Sequence, residues 1–433
     1  MNNMMASIEK NDPNILRAIK NEHKRLNDGI ELIPSENVVS KAVLQAMASI
    51  FTNKYSEGYP HKRYYGGNEF VDDAEDLAIE RAKKLFKAQH VNVQPYSGSP
   101  ANQAVFFALL NLGDTFMGFD LSAGGHLTHG SKVNFSGKQY NCIPYTVDKK
   151  TELLDYDEIK KQALKSKPKL ILSGLTAYPR KLDFKAFQEI CDKVNAYHMA
   201  DIAHIAGLCA TGVHENPVPI CDVATTTTHK ILRGPRGGMI MCKILDKFDK
   251  DGKKNLAQKI DSAVFPGLQG GPHDHVNAAK AVTFAEALKP DYKNYCIQIV
   301  KNAKALSNAL MDKGLELVTG GTDNHLMVIK LINKGLTGKG KEVQNALDAA
   351  GITVNKNTIP YEPSTPFNPS GIRLGTPAVT TRGFKESEME LIGESIAKVI
   401  DNLNDKSVIA KVKKDILELC KNYPLYPDFD ILK

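Results

Sequence analysis

The sequence predicts an α/β protein in which a large, mostly parallel sheet is wrapped by helices and is followed by a small C-terminal α+β domain. Up to about residue 290, short apolar segments that suit strands alternate with amphipathic segments that suit helices, and this alternation is typical of a parallel sheet covered by helices. A Pro-Asp pair at 290–291 follows a long apolar-faced helix and marks a boundary. At 433 residues the chain exceeds one typical domain.

The elements predicted along the chain fall into three parts. Residues 1–45 form an N-terminal arm that is polar and helical for most of its length. Residues 46–290 form the large domain, with strands such as 169–174 and 197–207 and helices such as 183–195. Residues 291–433 form the small domain, with helices at 297–314, 386–403 and 407–420 and strands at 315–318 and 326–331.

The composition is that of an ordinary globular protein, with 42% hydrophobic and 24% charged residues. No apolar run reaches membrane-spanning length, so no membrane partner is expected. The net charge of +7 suits an anionic cofactor and an anionic substrate. The lysines are scattered with acidic residues between them, which argues against a nucleic-acid partner.

The cysteines and the N-terminus indicate a reducing compartment. The seven cysteines show neither CxxC spacing nor a histidine and cysteine pattern that binds a metal. We therefore predict reduced thiols, no disulfide and no metal site. Residues 1–12 lack the hydrophobic core of a signal peptide and carry acidic residues early, which predicts a cytoplasmic protein.

The most informative segment is 223–238, in which four successive threonines lead through His229 to Lys230. The β-branched threonines favour a strand, and the lysine falls in a turn rich in Gly, Pro and Arg. A lysine held in this way suits Schiff-base formation with an aldehyde, and arginine with backbone N–H groups suits a phosphate. Pyridoxal 5'-phosphate meets both requirements. The alternative is a basic surface loop after a core strand.

An aspartate and a histidine stand out in the apolar segment 197–207. Burying Asp201 is costly unless a cation pairs with its carboxylate, and a protonated pyridine nitrogen of the cofactor is such a cation. His204 follows closely enough to contact the cofactor or a substrate carboxylate. The alternative is that Asp201 caps the next helix.

A phosphate cradle is predicted at Ser97, Gly98 and Ser99, which precede a helix that we expect to open with Pro100. Hydroxyl groups and free backbone N–H groups at a helix N-terminus bind anions. The alternative is a plain helix N-cap without a ligand.

Six long motifs in order resemble the serine hydroxymethyltransferase family. They are LIPSEN (32–37), YSEGYPHKRYYGG (55–67), GGHLTHG (124–130), TTTTHK (225–230), FPGLQGGP (265–272) and GIRLGTP (371–377). The resemblance runs nearly end to end, and it implies a fold-type I pyridoxal-phosphate enzyme, similar to aspartate aminotransferase in fold. Two positions depart from the family pattern: Pro34 stands where a small residue is common, and His61 stands where Gly is common.

The resemblance implies that Lys230 holds pyridoxal phosphate and that Asp201 keeps the pyridine nitrogen protonated. It implies that Arg373 clamps the amino acid carboxylate, that His126 stacks on the cofactor ring, and that Glu57 is the acid-base residue of the one-carbon transfer. Each of the last three has a simpler interpretation. These are an arginine in a surface salt bridge, a surface-loop histidine and a solvent-facing glutamate.

Further contacts are also implied by the resemblance. Thr227 and His229 join the catalytic group, and the other cofactor contacts are Ser97, Gly98, Ser99, Thr176, His204, Arg236, Gly270, Gly271 and Tyr55. The other substrate contacts are Ser35, Tyr64, Tyr65, His204, Leu121, Gly125, Leu127 and Asn357. Tyr55, Tyr65 and Ser35, with the two glycines, would reach the site from a partner subunit, so we expect a homodimer with shared active sites.

The implied reaction converts serine and the co-substrate tetrahydrofolate reversibly into glycine and 5,10-methylenetetrahydrofolate. One alternative is a pyridoxal-phosphate aldolase acting on threonine or allo-threonine, which would share Lys230 and Asp201 but needs no folate pocket. A second alternative is a non-catalytic or RNA-binding protein on the same fold, indicated only by the mild basic charge.

Overall fold

The computed structural model of the chain describes residues 6–249 and 255–427. Residues 1–5 of the predicted arm, residues 428–433 of the predicted small domain and residues 250–254 lie outside the described residues. The described part is an α/β fold with a seven-stranded sheet, a four-stranded sheet and two short strand pairs.

Helices cover both faces of the large sheet and one face of the small one. They are α1 (Ala6–Asn11), α2 (Pro13–Asp28), α3 (Lys41–Met47), α4 (Glu69–Phe86), α5 (Gly98–Leu109), α6 (Phe135–Gln139), α7 (Tyr156–Ser166), α8 (Phe184–Val194), α9 (Ala206–Thr211), α10 (Leu256–Ser262), α11 (Asp274–Ala287), α12 (Pro290–Asp312), α13 (Gly340–Ala349), α14 (Pro377–Arg382), α15 (Glu386–Asp401) and α16 (Lys406–Lys421).

The strands are short. They are β1 (Ile30–Glu31), β2 (Gly58–Tyr59), β3 (Lys62–Arg63), β4 (His90–Asn92), β5 (Thr115–Phe119), β6 (Asn141–Tyr145), β7 (Leu170–Gly174), β8 (Tyr197–Asp201), β9 (Val223–Thr227), β10 (Gly238–Cys242), β11 (Glu316–Leu317), β12 (Leu326–Lys330), β13 (Ile352–Thr353), β14 (Asn355–Asn357) and β15 (Gly371–Gly375).

The large sheet has the strand order β4-β10-β9-β8-β7-β5-β6. Strands β5 to β9 run parallel to one another, and only β10 is antiparallel to its neighbours. The prediction of a mostly parallel sheet is therefore confirmed. Successive residues of β7 face opposite sides, since Ile171 joins the apolar core on one face while Leu170 and Leu172 join the core on the other.

The small sheet has the order β11-β12-β15-β14 and is antiparallel throughout. The predicted arm is part of this region, because β1 pairs with β13 and Ile30 and Leu32 lie in the core behind the small sheet. The boundary between the large and the small domain near residue 290 stays a prediction. α12 begins there and contributes to both cores, with Ile299 in one and Leu306 in the other.

Several predicted element boundaries need correction. The helix predicted at 297–314 begins at Pro290, which takes the first helical position that proline tolerates. The strand predicted at 197–207 ends at Asp201, because the chain turns there into α9. The helix predicted at 183–195 is confirmed as α8, capped by the Asp183 carboxylate and ended by Asn195 in the left-handed conformation.

Among the residues that the structure describes, no helix is both long enough and apolar enough to span a membrane.

Candidate active site

Three neighbouring strands deliver candidate residues to one edge of the large sheet. The register aligns Gly174 of β7 with Asp201 of β8, and Asp201 with Thr225 of β9. Because these strands are parallel, the segments that follow them, which carry Thr176 and Lys230, leave the sheet at the same edge. Ligands of open α/β sheets bind at this carboxyl edge.

Lys230 follows β9 and is buried, with 9% of its surface exposed. Asn37 donates a hydrogen bond to the Lys230 carbonyl oxygen at 2.9 Å, which ties the turn to the N-terminal segment. Burial lowers the pKa of Lys230 to about 8; the Asp201 carboxylate opposes the shift, and Arg373 and Arg236 add to it. The interpretation as a basic surface loop is wrong for Lys230, because the amine is withdrawn from water.

Asp201 ends β8 and is buried beside three hydrogen-bonding groups. Asn102 Nδ2 lies 2.9 Å and His129 Nε2 lies 3.1 Å from Asp201 Oδ2, and the Ala203 N–H donates to Oδ1 at 3.0 Å. Burial works to raise the pKa of Asp201, but the contacts with His129 and Asn102 hold it well below its usual range. The carboxylate is therefore ionised. α9 begins only at Ala206, so Asp201 does not cap the next helix.

His126 belongs to the same polar network. Its Nδ1 lies 2.7 Å from Thr128 Oγ1, and this hydroxyl oxygen accepts a hydrogen bond from Asn102 Nδ2 at 2.7 Å. The same Asn102 amide donates to Asp201. Burial and the neighbouring His129 lower the pKa of His126 to about 4, so its imidazole is neutral at pH 7. The side chain is half-buried, which does not fit an exposed surface-loop histidine.

The predicted phosphate cradle lies at the N-terminus of α5. The helix begins at Gly98 rather than at Pro100, which lies in its first turn together with Ser99. Ser97 takes the N-cap position, but its hydroxyl makes no capping hydrogen bond to the helix. A Cβ at Gly98 would lie 2.8 Å from Thr227 Cγ2, so the close approach to β9 needs glycine. The first-turn N–H groups and an uncommitted hydroxyl suit an anion.

The turn around Lys230 holds one imidazole nitrogen without a partner. The Thr228 hydroxyl donates to the Pro235 carbonyl at 2.6 Å and closes the turn. His229 Nδ1 is buried and makes no hydrogen bond to any described residue. Burial, together with the adjacent Lys230, lowers the pKa of His229 to about 3. Arg236, at the end of the turn, is exposed.

Arg373 is a buried cation without an acidic partner among the described residues. It lies in β15 with 9% of its surface exposed. Its Nε donates to Asn355 Oδ1 at 3.0 Å and its Nη1 donates to the Thr176 carbonyl at 2.7 Å. Burial lowers the pKa of Arg373 to about 10. The interpretation as a surface arginine in a salt bridge is wrong, and the remaining N–H groups can meet a ligand anion.

A second group of candidate residues lies together on the surface. Tyr55 and Tyr65 pack edge to face with ring centroids 5.4 Å apart, and both are about half exposed. The Tyr55 hydroxyl donates to Glu57 Oε1 at 3.4 Å, and Glu57 is half-buried. A Cβ at Gly270 would lie 3.1 Å from Glu57 Oε1, and one at Gly271 would lie 3.4 Å from the Tyr55 ring. No hydrogen bond between described residues joins this group to the buried lysine or arginine.

A buried ion-pair cluster supports the hairpin that carries this group. Arg63 in β3 donates to Asp72 at 2.8 Å and to Glu75 at 2.7 Å. His61 has a φ of 63°, in the left-handed region that favours glycine. This backbone geometry explains why glycine is common at this position in the family. The His61 N–H donates to Asp72 at 2.8 Å, and this hydrogen bond offsets part of the backbone strain. Tyr64 is largely exposed and packs edge to face on another ring.

The implied folate contacts other than Tyr64 are Leu121, Gly125 and Leu127, which follow β5, and Asn357, which ends β14. The Thr358 hydroxyl donates to the Ser122 carbonyl at 3.4 Å, which joins the end of β14 to the segment after β5. A Cβ at Gly125 would lie 2.0 Å from the Phe119 carbonyl oxygen, so this backbone position requires glycine. Both leucines are partly exposed, which leaves an apolar rim beside these segments.

Ser35 lies between two residues that join its segment to the small sheet and to the Lys230 turn of the same chain, and its expected contribution to a partner's site stays a prediction. Leu32, just before it, accepts a hydrogen bond from the N–H of Gly375 at the end of β15. Asn37, just after it, contacts the Lys230 carbonyl. Pro34 is buried and packs against Gly375, so the proline fills the space that a small residue would leave.

Sequence reasoning missed Asn102, Thr128 and His129, which belong to the buried polar network around Asp201, and His325, which contacts His204. His204 Nδ1 lies 3.3 Å from His325 Nε2, and both rings are buried. One signal for Asn102 was present in the sequence, because it is a polar residue on an otherwise apolar helix face and buried polar groups need partners.

The residues present fit pyridoxal phosphate. The buried lysine has a lowered pKa, the buried aspartate is ionised, and the start of α5 offers free anion-binding groups. His229 Nδ1 and the Arg373 guanidinium are buried without a full set of partners, which is costly unless a ligand meets them. Among the described residues no cluster of side chains is arranged to hold a metal ion.

Comparisons with known proteins agree with this chemistry. A family model described as serine hydroxymethyltransferase matches residues 8–396. Curated serine hydroxymethyltransferases of Legionella pneumophila strains Lens and Corby are each 57% identical to this chain over 420 residues, which cover 97% of the chain and 98% of each relative. The chain therefore belongs to the serine hydroxymethyltransferase family of one-carbon transferases, which are fold-type I pyridoxal-phosphate enzymes.

Proposed function

We propose that this chain uses pyridoxal phosphate bound at Lys230 to convert serine and tetrahydrofolate reversibly into glycine and 5,10-methylenetetrahydrofolate. One observation carries the proposal: a buried Lys230 with a pKa of about 8 lies within electrostatic reach of the ionised Asp201 and of Arg373, a buried cation with no acidic partner among the described residues. This combination suits an aldehyde, a pyridinium nitrogen and a carboxylate.

When bound, pyridoxal phosphate supplies an electron sink for the negative charge left at Cα when the Cα–Cβ bond of serine breaks. Lys230 holds the aldehyde carbon of the cofactor through its amine. Asp201 keeps the pyridine nitrogen protonated, because its own pKa is held low by His129 and Asn102 despite burial. The neutral imidazole of His126 stacks on the ring face without adding a charge next to the pyridinium.

Arg373 orients the amino acid by binding its carboxylate. The guanidinium already donates through Nε and one Nη, so its position is fixed before the substrate arrives. Burial strengthens the attraction, because few waters compete with the carboxylate. Ser35 and His204 add hydrogen-bonding groups for the carboxylate or the cofactor, and His204 lies within electrostatic reach of Arg373 and Lys230.

The phosphate group is held by Ser97, Gly98 and Ser99, with Thr227, His229 and Thr176 lining the pocket. Support comes from the uncapped N-terminus of α5 and from the unpaired His229 Nδ1.

Glu57 moves the proton of the serine hydroxyl as the Cα–Cβ bond breaks, a step that a positioned acid-base group accelerates. Tyr55 and Tyr65 pack around it, and all three lie on a surface with exposed aromatic rings. We propose that this surface enters the site of a second copy of the chain, together with Gly270 and Gly271, whereas Arg236 binds the phosphate within the same chain as Lys230, whose pKa it lowers. The active form is then a homodimer with shared sites, since each lysine needs the partner's Glu57.

Tetrahydrofolate binds at the rim formed by Leu121, Leu127 and Tyr64, with Gly125 and Asn357 meeting the pteridine edge. The exposed apolar side chains support this assignment, because a flat aromatic ring needs such a surface. We also propose a cytoplasmic location, which is supported by seven cysteines that form no disulfide.

The test is a difference spectrum of the purified protein on successive addition of pyridoxal phosphate, glycine and tetrahydrofolate, combined with an assay of glycine formed from serine. Borohydride reduction followed by peptide mass mapping should locate the pyridoxyl group on Lys230. Lys243→Arg is the control variant, because that lysine contacts the Ile220 carbonyl instead of the site.

A protein without any pyridoxal-phosphate absorbance, or one labelled elsewhere than Lys230, would contradict the proposal. Cleavage of allo-threonine together with serine cleavage that tetrahydrofolate does not accelerate would favour the aldolase alternative.

A further inference from the structure

A pair of buried histidines links the two sheets behind the site. His204 follows β8, and its Nδ1 lies 3.3 Å from Nε2 of His325, which directly precedes β12. The two rings are nearly parallel, with an interplanar angle of 28° and centroids 5.5 Å apart. Both residues are buried, His325 completely. The tautomers of the two rings are therefore determined by contacts within the protein rather than by water.

His325 is held firmly by its neighbours in the chain. Asn324 Nδ2 donates to the Tyr178 carbonyl at 3.2 Å, and the Thr322 hydroxyl contacts the Pro179 and Leu326 carbonyls. The strand that follows, β12, pairs with β15 so that Val328 lies opposite Arg373. The backbone that carries His325 is thus fixed relative to the strand that carries Arg373.

Both imidazoles are neutral at pH 7. Burial lowers the pKa of His325 to about 3, and the charges of Arg373 and Lys230 add to that effect. Burial and the same two cations lower the pKa of His204 well below its ordinary value. Each neutral ring carries a single N–H, so one ring must donate and the other must accept across the 3.3 Å contact.

The unpaired nitrogen of His325 decides the direction of this hydrogen bond. His325 Nδ1 is buried and has no partner among the described residues. If His204 donated, His325 would carry its proton on Nδ1 and bury an N–H without an acceptor. If His325 donates from Nε2, only a lone pair is left unpaired, and unpaired acceptors are tolerated better than unpaired N–H groups. His204 then carries its own proton on Nε2.

We propose that His325 is a positioning residue that fixes His204 in the Nε2–H tautomer and so makes it a hydrogen-bond donor for the carboxylate of the bound amino acid. Within the described residues Nε2 of His204 makes no hydrogen bond, so it is available to a ligand. Arg373 and Lys230 lie within electrostatic reach of His204, which places this donor beside the two cations of the site. The choice of a carboxylate rests on the proposed function, whereas the tautomer does not.

The tautomer is tested by ¹⁵N NMR of the holoenzyme labelled in histidine, with the His204 signals identified by their loss in His204→Gln. We expect a protonated Nε2 and an unprotonated Nδ1 in the wild-type protein. Glycine affinity is then compared in two variants. His325→Gln retains an amide N–H near the Nε2 position, whereas His325→Leu retains only bulk.

Glycine should bind about tenfold more weakly to His325→Leu, and His325→Gln should recover most of the affinity, as expected for one hydrogen bond. Pyridoxal-phosphate affinity should change by less than about twofold in both variants, because a hydrogen bond to the carboxylate does not involve the cofactor. His198→Leu is the matched control, since His198 is buried and neutral but contacts Ser173 and Gln188. It should leave glycine affinity unchanged.

A wild-type His204 protonated on Nδ1 would overturn the inference, and this spectrum decides the matter even if His325→Leu does not fold. Unchanged glycine affinity in His325→Leu, or equal losses in the leucine and glutamine variants, would also overturn it. A protein with the expected tautomer but no folate-dependent serine cleavage would contradict the proposed function alone.

Discussion

The lowered pKa of Lys230 predicts an unusual pH dependence for cofactor uptake. Burial moves the pKa from its ordinary 10.5 to about 8. At pH 7 about a tenth of the amine is then neutral, compared with about one molecule in 3,000 for an ordinary lysine, a difference of about 300-fold. Because only the neutral amine attacks an aldehyde, the apoprotein should capture pyridoxal phosphate correspondingly faster than a free amine at this pH.

The assay follows the absorbance of pyridoxal phosphate after mixing with apoprotein between pH 6 and 10, with N-acetyl-lysine amide as the reference amine. The rate for the protein should rise up to about pH 8 and then level, while the rate for the reference amine continues to rise toward pH 10.5.

Two charged neighbours of Lys230 should shift the midpoint of this pH profile in opposite directions when they are replaced. Asp201→Asn should move the midpoint below that of the wild type, and Arg373→Leu should move it above, since the carboxylate raises and the guanidinium lowers the pKa. A protein whose rate tracks the reference amine, or two variants that shift the same way, would refute this reasoning.

Four further outcomes follow from the same contacts. The unfolding free energy of the apoprotein should gain a contribution from Lys230 as pH rises from about 8 to 10.5, because the unfolded chain binds more protons in that window; urea titrations in which Lys230→Met shows the same rise would contradict it. Glu57→Gln should lower folate-dependent serine cleavage roughly 10²–10⁴-fold and affect folate-independent allo-threonine cleavage far less; equal losses in both assays would make Glu57 structural. Mixing Tyr55→Phe subunits with Lys230→Ala subunits should restore activity above either parent through one intact shared site, and no recovery after subunit exchange verified by native mass spectrometry would exclude a shared site. Lys280 is buried and donates to three backbone carbonyls. Lys280→Met should therefore lower the unfolding free energy by about 1–3 kcal/mol, which is more than the loss in the control Lys243→Met, where the lysine is partly exposed. Equal urea midpoints for the two variants would show that the buried contacts of Lys280 do not stabilise the protein.

Local sequence patterns were sufficient to predict the large parallel sheet and the residues on its carboxyl edge. Strand and helix periodicities depend on neighbours a few positions away, so β7, β9 and α8 followed from the chain alone. The threonine run drew attention to Lys230, and Ser97, Gly98 and Ser99 at the start of α5 predicted an anion-binding site. Element boundaries were less predictable, as the early start of α12 at Pro290 shows.

The tertiary structure alone decided the chemistry of these residues. Asp201 is ionised because Asn102 and His129, at 99 and 72 positions away in the chain, converge on its carboxylate. No local pattern encodes such a meeting, and a pKa depends on burial and on neighbours in space.

The sequence identified Arg373 and His204 as candidates. Only the fold shows that the arginine is buried with no acidic partner in the part of the chain that the structure describes, and that the histidine pairs with His325. Asn37 illustrates the same limit, because its contact with the Lys230 carbonyl joins residues 193 positions apart in the chain. Residue types determine which chemistry is available, whereas protonation, orientation and free hydrogen-bonding capacity arise from contacts between distant segments.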